Sequence, residues 1–220
     1  MTSDHDGLRL TVDVATFAAW RAGSPGWAVP QEFDVTTADG TRPAPDSGAP
    51  VGGQVLPPFV AASLAVHAAA DAAIRLRVDD GAVRVVACLS IAGDLVAVLV
   101  RAARAVPGSG FASGGWVQVG LVAATQAVPE VMSWVPEPDE IVHPDTGSME
   151  LLVVGADDAG SGELARWVVS GSRWQRLVPR PGGQVELLPA ARADLASELT
   201  AAVVRVLAQR PREGGDPDGR

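Results

Sequence analysis

The sequence of 220 residues predicts an α+β fold: antiparallel sheets with flanking helices, in two pseudo-equivalent halves. Two observations support this fold class. Segments with alternating apolar residues follow one another through short turns, whereas a parallel connection needs about a dozen residues. Each run of strands also ends in one helical segment, at 121–134 and at 192–209. Strands followed by a helix that packs on one face are typical of α+β domains.

The first elements follow from local periodicity and from chain breakers. Leu8 to Val14 alternates apolar and polar residues, as a half-buried strand does. Phe17 and Trp20 lie three residues apart and share one face of a short helix. In chain order we predict a strand at 8–14, a helix at 15–22, a strand with Pro30 at 27–35, an exposed Pro- and Gly-rich linker at 39–58, and a helix within 58–73.

An antiparallel meander is predicted at the centre of the chain. Ile74 to Val78 alternates cleanly, and the Asp-Asp-Gly sequence after it has the composition of a hairpin turn. In the helix that is predicted after these strands, Pro129 must lie in the first turn or cause a kink. The predicted elements here are strands at 74–78, 83–89, 95–101 and 116–120 and a helix at 121–134.

The second half repeats this order of strands followed by one helix. An acidic, Pro-containing connector at 135–148 precedes it, which places the N-terminal half at 1–145 and the C-terminal half at 146–209. The charged Pro- and Gly-rich tail at 210–220 is expected to be disordered. The elements predicted in the second half are strands at 150–155, 164–170, 173–178 and 184–188 and a helix at 192–209.

The charge composition excludes several functions. The chain contains no Lys, so its 17 basic side chains are all Arg, and 26 acidic residues give a net charge of −9. Without Lys there is no phosphate-loop lysine, no Schiff base with pyridoxal phosphate and no lysine nucleophile. The negative charge argues against nucleic acid and anionic membranes as partners, because both require a positive field.

No segment is suited to membrane insertion. The apolar run from Val85 to Val100 is interrupted by Gly93 and Asp94. It is also shorter than the roughly 20 residues that a membrane-spanning helix needs. The acidic N-terminus lacks the charged-then-apolar order of a signal peptide. We therefore expect a soluble cytoplasmic protein.

No catalytic, metal-binding or cofactor motif is found in the sequence. His5, His67 and His143 form no ligand pair, and Cys88 lies in a predicted buried strand, where a thiol packs as a small apolar group. The serines lack a nucleophile-elbow sequence. The paired acidic residues are suited to turns. We expect no cofactor, no metal and no enzyme activity.

The last helix carries apolar residues outside the stripe that faces a core. The stripe at helical spacing comprises Leu195, Leu199, Ala202, Val203 and Val206. Val204 lies nearly opposite this stripe, and Leu207 lies toward its edge. Either a second partner covers these two side chains, or the helix is sandwiched within its own domain.

Four stretches together resemble the EspG family, the cytosolic chaperones of actinobacterial type VII (ESX) secretion. The first is the opening strand and helix with the Pro-containing strand that follows. The others are the central meander, the strand that leads into helix 121–134, and the closing strands with the C-terminal helix. These stretches are 10–35, 74–101, 117–120 and 167–207. One departure is the segment from Asp39 to Pro58, which is too short for the long helical segment of that family, so the chain resembles a reduced member.

The resemblance implies a pseudo-twofold fold that binds the exposed helical tips of PE–PPE-like substrate heterodimers, without cofactor or catalysis. An apolar groove would mask helix ends that otherwise aggregate. From their expected exposure, we predict that Trp174, Val204 and Leu207 contact the partner.

Two other hypotheses stay open. One is a structural or regulatory module that forms homodimers through the sheet or the helices. The other is an enzyme with an unrecognised site, for which a deep pocket of converging polar groups would be needed. A stoichiometric complex with a helical secretion substrate favours the chaperone, whereas a tight dimer that buries the last helix favours the module.

Overall fold

One large antiparallel sheet with four helices forms the part of the chain that the computed structural model describes, residues 8–23, 33, 56–106, 110–111, 115–141, 147–155, 162–169 and 173–208. The fold class is α+β. The strands are β1 (Leu8–Asp13), β2 (Ala72–Asp79), β3 (Val83–Ala92), β4 (Leu95–Val106), β5 (Gly110–Phe111), β6 (Trp116–Ala123), β7 (Ser148–Gly155), β8 (Gly162–Val169), β9 (Trp174–Pro179) and β10 (Val185–Pro189). The helices are α1 (Val14–Gly23), α2 (Pro58–Ala68), α3 (Ala127–Ser133) and α4 (Arg192–Ala208).

The main strands form one continuous antiparallel sheet. Nine strands run in the order β1-β6-β4-β3-β2-β7-β8-β9-β10, and the short β5 pairs with β4. At the middle, β2 and β7 pair antiparallel, with Leu76 opposite Leu151. From this pair β3, β4 and β6 extend to one side, and β8, β9 and β10 extend to the other.

The helices lie on both sides of the sheet and enclose two cores. The first core lies between the sheet and helices α3 and α4, and it includes Leu76, Val98, Val131, Trp167 and Leu199. The second core lies between the sheet and helices α1 and α2, and it includes Phe17, Phe33, Val60, Leu99 and Val119. Helix α2 packs on β3, β4 and β6, whereas α4 packs on β7 and β2.

The predicted alternation of β2 is confirmed. Ile74, Leu76 and Val78 are at most 4% exposed and belong to the first core. Arg75 and Arg77 therefore point to the side of the sheet that carries α1 and α2, because successive side chains of a strand alternate in direction. Strand β4, by contrast, is buried on both sides, because helices lie above and below it.

The Asp-Asp-Gly turn between β2 and β3 is confirmed, and both carboxylates stabilise it. Asp79 Oδ1 accepts a hydrogen bond from Gly81 N at 3.0 Å. Asp80 Oδ1 accepts from Ala82 N at 2.8 Å and from Val83 N at 2.5 Å. Gly81 has a φ of 83°, which a residue with a side chain rarely adopts. These acidic side chains therefore have a structural role in the hairpin.

The predicted helix at 121–134 is wrong at its N-terminal end. Strand β6 continues to Ala123, with Val122 paired to Val96 and only 4% exposed. A 3-10 turn over Ala124–Gln126 follows, and α3 begins at Ala127. This start places Pro129 in the first turn of α3. The N–H groups of that turn have no acceptor within the helix, so a proline there breaks no hydrogen bond.

Several predicted elements have other bounds or lie outside the described residues. The helix predicted within 58–73 ends at Ala68, because the chain enters β2 at Ala72. Of the strand predicted at 27–35, only Phe33 is described, and it is buried in the second core outside the sheet. Most of the linker predicted at 39–58 and the tail at 210–220 lie outside the described residues. Across the ranges that the structure describes, none of the helices combines the length and apolar character needed to span a bilayer.

Candidate functional site

Trp174 does not lie on the surface, which corrects the sequence-based expectation of exposure. Its side chain is 3% exposed and belongs to the first core. The indole Nε1 donates a hydrogen bond to the carbonyl oxygen of Pro136 at 3.2 Å. Alternation along β9 directs Trp174 toward α3 and α4, so this residue stabilises the fold instead of presenting a surface.

Val204 and Leu207 lie on the same helix but differ in exposure. Val204 is 60% exposed on the outer side of α4, as its place outside the apolar stripe predicts. The buried stripe itself is confirmed by Leu195, Leu199, Ala202 and Val203. Leu207 is half-buried and packs against the first core. The structure therefore does not bring the three predicted contact residues together on one surface.

A larger candidate surface lies on the other side of the sheet, which we call the open face. It consists of the side chains of β2, β7, β8 and β9 that point to the side of α1 and α2. Those side chains are half-buried or exposed, whereas the alternate side chains of the same strands that point to α4 are mostly buried. The open face comprises Arg75, Arg77, Glu150, Leu152, Val154, Arg166, Val168, Gln175 and Leu177.

Strand β10 extends the open face to the edge of the sheet. All five of its residues are exposed, and Leu187, which is 47% exposed, lies opposite the open-face residue Leu177. Leu188, which is 37% exposed, points to the other side of the sheet. Apolar side chains at this exposure on an edge strand are typical of a site where another chain adds.

Within the described part of the chain, β9 is the strand that pairs with β10, and the outer edge of β10 has no strand beside it. Ala190 N donates to Trp174 O at 3.0 Å, just beyond the strand. Bonded and outward-facing residues alternate along an antiparallel edge, so Val185 and Leu187 direct their N–H and C=O groups away from β9. Pro189 has the same outward direction and has no N–H to offer.

Ion pairs cross the open face and its border. Arg166 Nε lies 2.9 Å from Glu150 Oε1, and both side chains are well exposed. At the border, Arg84 Nε donates to Asp79 Oδ2 at 2.9 Å. Burial raises the pKa of Asp79, but the hydrogen bonds from Arg84 and from Gly81 N outweigh it, so the pKa lies below the usual 3.8. Both carboxylates are therefore matched by guanidinium groups.

A groove runs between α4 and strands β7 and β8 on the opposite side of the sheet. Its volume is about 290 Å³, near the lower limit for small-molecule sites. Trp167 and Leu151 form an apolar floor, and Arg205 lies at the rim. The rim also holds the ion pair between Arg176 Nη1 and Glu198 Oε1 at 2.5 Å. This arrangement can accept apolar side chains of a partner, but it brings no nucleophile together with a base.

Another cluster of reactive groups lies where α2 packs on β3. His67 Nδ1 shares a hydrogen bond with Ser90 Oγ, which lies 3.9 Å from Cys88 Sγ. Ser90 and Cys88 are at most 1% exposed, so the buried Cys88 expected from the sequence is confirmed. Burial and, secondarily, the charge of Arg75 lower the pKa of His67 below 6.5. The imidazole therefore joins α2 to β3 in its neutral form.

We expect His67 to make stability depend on pH. Because its pKa is lower in the folded than in the unfolded chain, its full contribution is present above the unfolded value of 6.5. The free energy of unfolding should then fall as the pH decreases through the folded-state pKa. Urea unfolding of the wild type and of His67→Gln between about pH 5 and 7 measures this difference. Asp13 and Asp79 titrate below this range, since their pKa values are lowered from 3.8. Equal slopes in the two proteins would contradict the assignment.

Compared with models of known protein families and with curated proteins, the chain matches none. Within the ranges that the structure describes, no three His, Cys, Asp or Glu side chains group together as a metal site would require. The surfaces above are therefore interpreted from their own geometry and chemistry.

The open face could not be predicted strand by strand, because the residue pattern within one strand does not show which strands lie beside it or which of its sides is covered. One signal was available: β7 and β9 carry apolar residues on both sides, at Leu152, Val154 and Leu177 as well as in the core. A strand covered on one side only normally alternates apolar with polar residues. Apolar residues on both sides of β7 and β9 thus indicate a second covering for this part of the sheet.

Proposed function

We propose that this chain is a cytoplasmic, non-catalytic binding protein of the type VII (ESX) secretion class, similar to the EspG chaperones. Its partner is a helical secretion substrate of the PE–PPE-like heterodimer type. The observation that carries the proposal is the open face: half of one side of a large sheet leaves apolar side chains partly exposed. Partly exposed apolar side chains bordered by polar groups are typical of protein-binding sites.

The strand order supports the two-half organisation that the EspG resemblance implies. Strand β2, which begins the central meander, and β7, which begins the second half, pair at the middle with a register in which Ala72 faces Gly155 and Asp79 faces Ser148. An antiparallel pair of this kind has a local twofold axis between its strands. Both α3 and α4 follow the last strand of their half and contribute to the first core. A twofold axis perpendicular to the sheet would relate two helices that lie on the same side of it, as these two do.

The physical basis of chaperoning is the masking of apolar helix ends. A substrate with such ends aggregates unless another surface covers them. The open face offers leucine and valine side chains for this contact, and β10 lengthens it with Val185 and Leu187, which are 57% and 47% exposed. The net charge of −9 keeps the carrier soluble and repels acidic proteins elsewhere on its surface.

Co-expression with a PE–PPE-like pair encoded near this chain tests the proposal. Size-exclusion chromatography with light scattering should give one copy of each of the three chains. We expect Leu187→Arg to weaken the complex by about ten-fold or more, because it places a charge in an apolar contact. Leu188→Arg, next to it on the other side of the sheet, is the matched control and should bind as the wild type does. No complex with the wild type, or equal loss in both variants, would refute the proposal.

Val204 and Leu207 stay predicted contacts at a second position, on α4. Val204→Arg in the same assay tests this position, because the exposed side chain allows the change without disturbing the core. A weaker complex at unchanged stability would place the substrate on α4 as well, whereas wild-type binding would confine the contact to the open face.

The free edge of β10 favours a second candidate function, the homodimeric module. Two copies can pair antiparallel about Leu187, with outward N–H groups at Val185 donating to the C=O of Pro189 in the other copy. Sedimentation of the isolated chain distinguishes the two functions. A tight dimer that Leu187→Pro dissociates supports the module, and a monomer supports the chaperone.

A further inference from the structure

Arginine is concentrated on the open face although the chain as a whole is acidic. Strand β2 directs Arg75 and Arg77 to this face, between buried residues that point the other way. Arg166 lies two strands away on β8. A net charge of −9 makes a basic surface unexpected in this protein. This local concentration of guanidinium groups favours a partner of opposite charge.

The carboxylates of this region form their close ion pairs with other arginines. Glu150 pairs with Arg166, and Asp79 pairs with Arg84. Among the described residues, Arg75 and Arg77 have no carboxylate oxygen within 4.0 Å.

The neighbouring groups compensate the positive charge only in part: the charge of Arg77 helps to lower the pKa of Asp79, but that carboxylate is bonded to Arg84. Arg75 Nε is buried without a hydrogen-bond partner in the described part of the chain, although such groups are normally paired. Helix α2, which borders Arg75, contains no acidic residue. Arginines therefore outnumber carboxylates around β2, and the buried Arg75 Nε has no acceptor among the described residues.

We propose that the open face binds an acidic segment of the partner protein, with its carboxylates on Arg75 and Arg77 and its apolar side chains on Leu152 and Leu177. Arginine forms paired, charge-assisted hydrogen bonds to carboxylates. The adjacent leucines supply the apolar contact that a peptide can match. The inference rests on the proposed function, because it names the chemistry of the partner segment at the same surface.

A protein segment fits this surface better than a nucleic acid does. A nucleic acid would extend past the open face onto a chain with a net charge of −9, whereas a short acidic segment contacts the arginines alone. The open face has no aromatic side chain on which bases could stack, although stacking contributes much of the affinity for single strands. The leucine and valine residues beside the arginines instead suit the alternating acidic and apolar side chains of a peptide.

Fluorescence anisotropy with two labelled synthetic peptides tests the inference on the full chain. Both peptides have the same leucine spacing, and their polar positions are all Glu in one and all Lys in the other. We expect the Glu peptide to bind at least about ten-fold more tightly, and its affinity to fall as NaCl is raised. Arg75→Gln combined with Arg77→Gln should weaken it by about ten-fold or more, as the loss of two charge-assisted bonds implies.

The controls separate this binding from a general charge effect. Arg104→Gln removes the same charge from β4, on the opposite side of the sheet, and should bind the Glu peptide as the wild type does. Arg77→Gln alone keeps the test valid if the double variant does not fold, because Arg77 is exposed. Equal affinity for both peptides, equal loss in Arg104→Gln, tighter binding of a thymidine oligonucleotide, or a wild-type dimer that Arg77→Gln dissociates would each overturn the inference.

The outcomes also separate this inference from the proposed function. A complex with the PE–PPE-like pair that is unaffected by Arg75→Gln and Arg77→Gln would retain the chaperone and overturn the acidic contact. Binding of the Glu peptide without any complex with the pair would retain the acidic contact and overturn the chaperone.

Discussion

Replacing Arg9 by Met is expected to lower the free energy of unfolding by about 3–5 kcal/mol, as the loss of one partner of a buried ion pair does. Arg9 pairs with Glu130, whose side chain is 1% exposed. Without the guanidinium, the partner left to the carboxylate among the described residues is Trp134 Nε1, which donates a hydrogen bond to Glu130 Oε1 at 3.2 Å. This pair joins β1 at the sheet edge to α3, so its loss should also loosen β1. Urea unfolding followed by circular dichroism measures the change.

Two further variants give this prediction its controls. Arg166→Met breaks an ion pair whose side chains are 56% and 41% exposed, and it should cost less than about 1 kcal/mol. Arg9→Met combined with Glu130→Met should recover much of the loss, because no buried charge then lacks a partner. If Arg9→Met and Arg166→Met lower the free energy of unfolding equally, the prediction that rests on the burial of Glu130 is wrong.

Trp174→Ala is expected to lower the free energy of unfolding by about 3–5 kcal/mol, the range for a buried aromatic side chain cut back to Ala. The indole fills the first core and holds the connector before β7 through its hydrogen bond to Pro136. Trp174→Phe retains most of the packing and loses the hydrogen bond, so we expect about 1–3 kcal/mol. Thermal or urea unfolding of the three proteins gives the comparison.

The matched control for Trp174 is Val204, which sequence reasoning placed in the same contact set. At 60% exposure, Val204→Ala should change stability by no more than about 0.5 kcal/mol. A fully stable Trp174→Ala protein with weakened partner binding would show that Trp174 is a contact residue after all.

The strands of the central meander could be predicted from local patterns. Alternation places Ile74, Leu76 and Val78 on one side of β2, and the acidic turn after Val78 requires an antiparallel return. The apolar stripe of α4 was predictable for the same reason, since helical spacing directs Leu195 and Leu199 to one side. These features depend on neighbours a few residues apart.

The candidate surfaces could be predicted only in part. Exposure of Val204 follows from its angle around α4. Burial of Trp174 does not follow from β9 alone, because alternation assigns it to a side but leaves open which side is covered. The covering comes from α3, α4 and the connector at Pro136, which lie far away in the chain. The same missing information concealed the open face.

The amino-acid sequence by itself determines the α+β class, the antiparallel hairpins, the charge that disfavours polyanionic partners, and the inner side of each amphipathic element. These properties arise from side-chain volume, backbone preference and charge over short stretches. The tertiary structure decides which elements meet: β2 beside β7, β1 beside β6, Arg9 on Glu130, and two helices over only part of one side of the sheet. Such contacts depend on long-range packing, in which distant segments compete to cover the same apolar area. They leave the arginines and leucines of the open face half-buried or exposed.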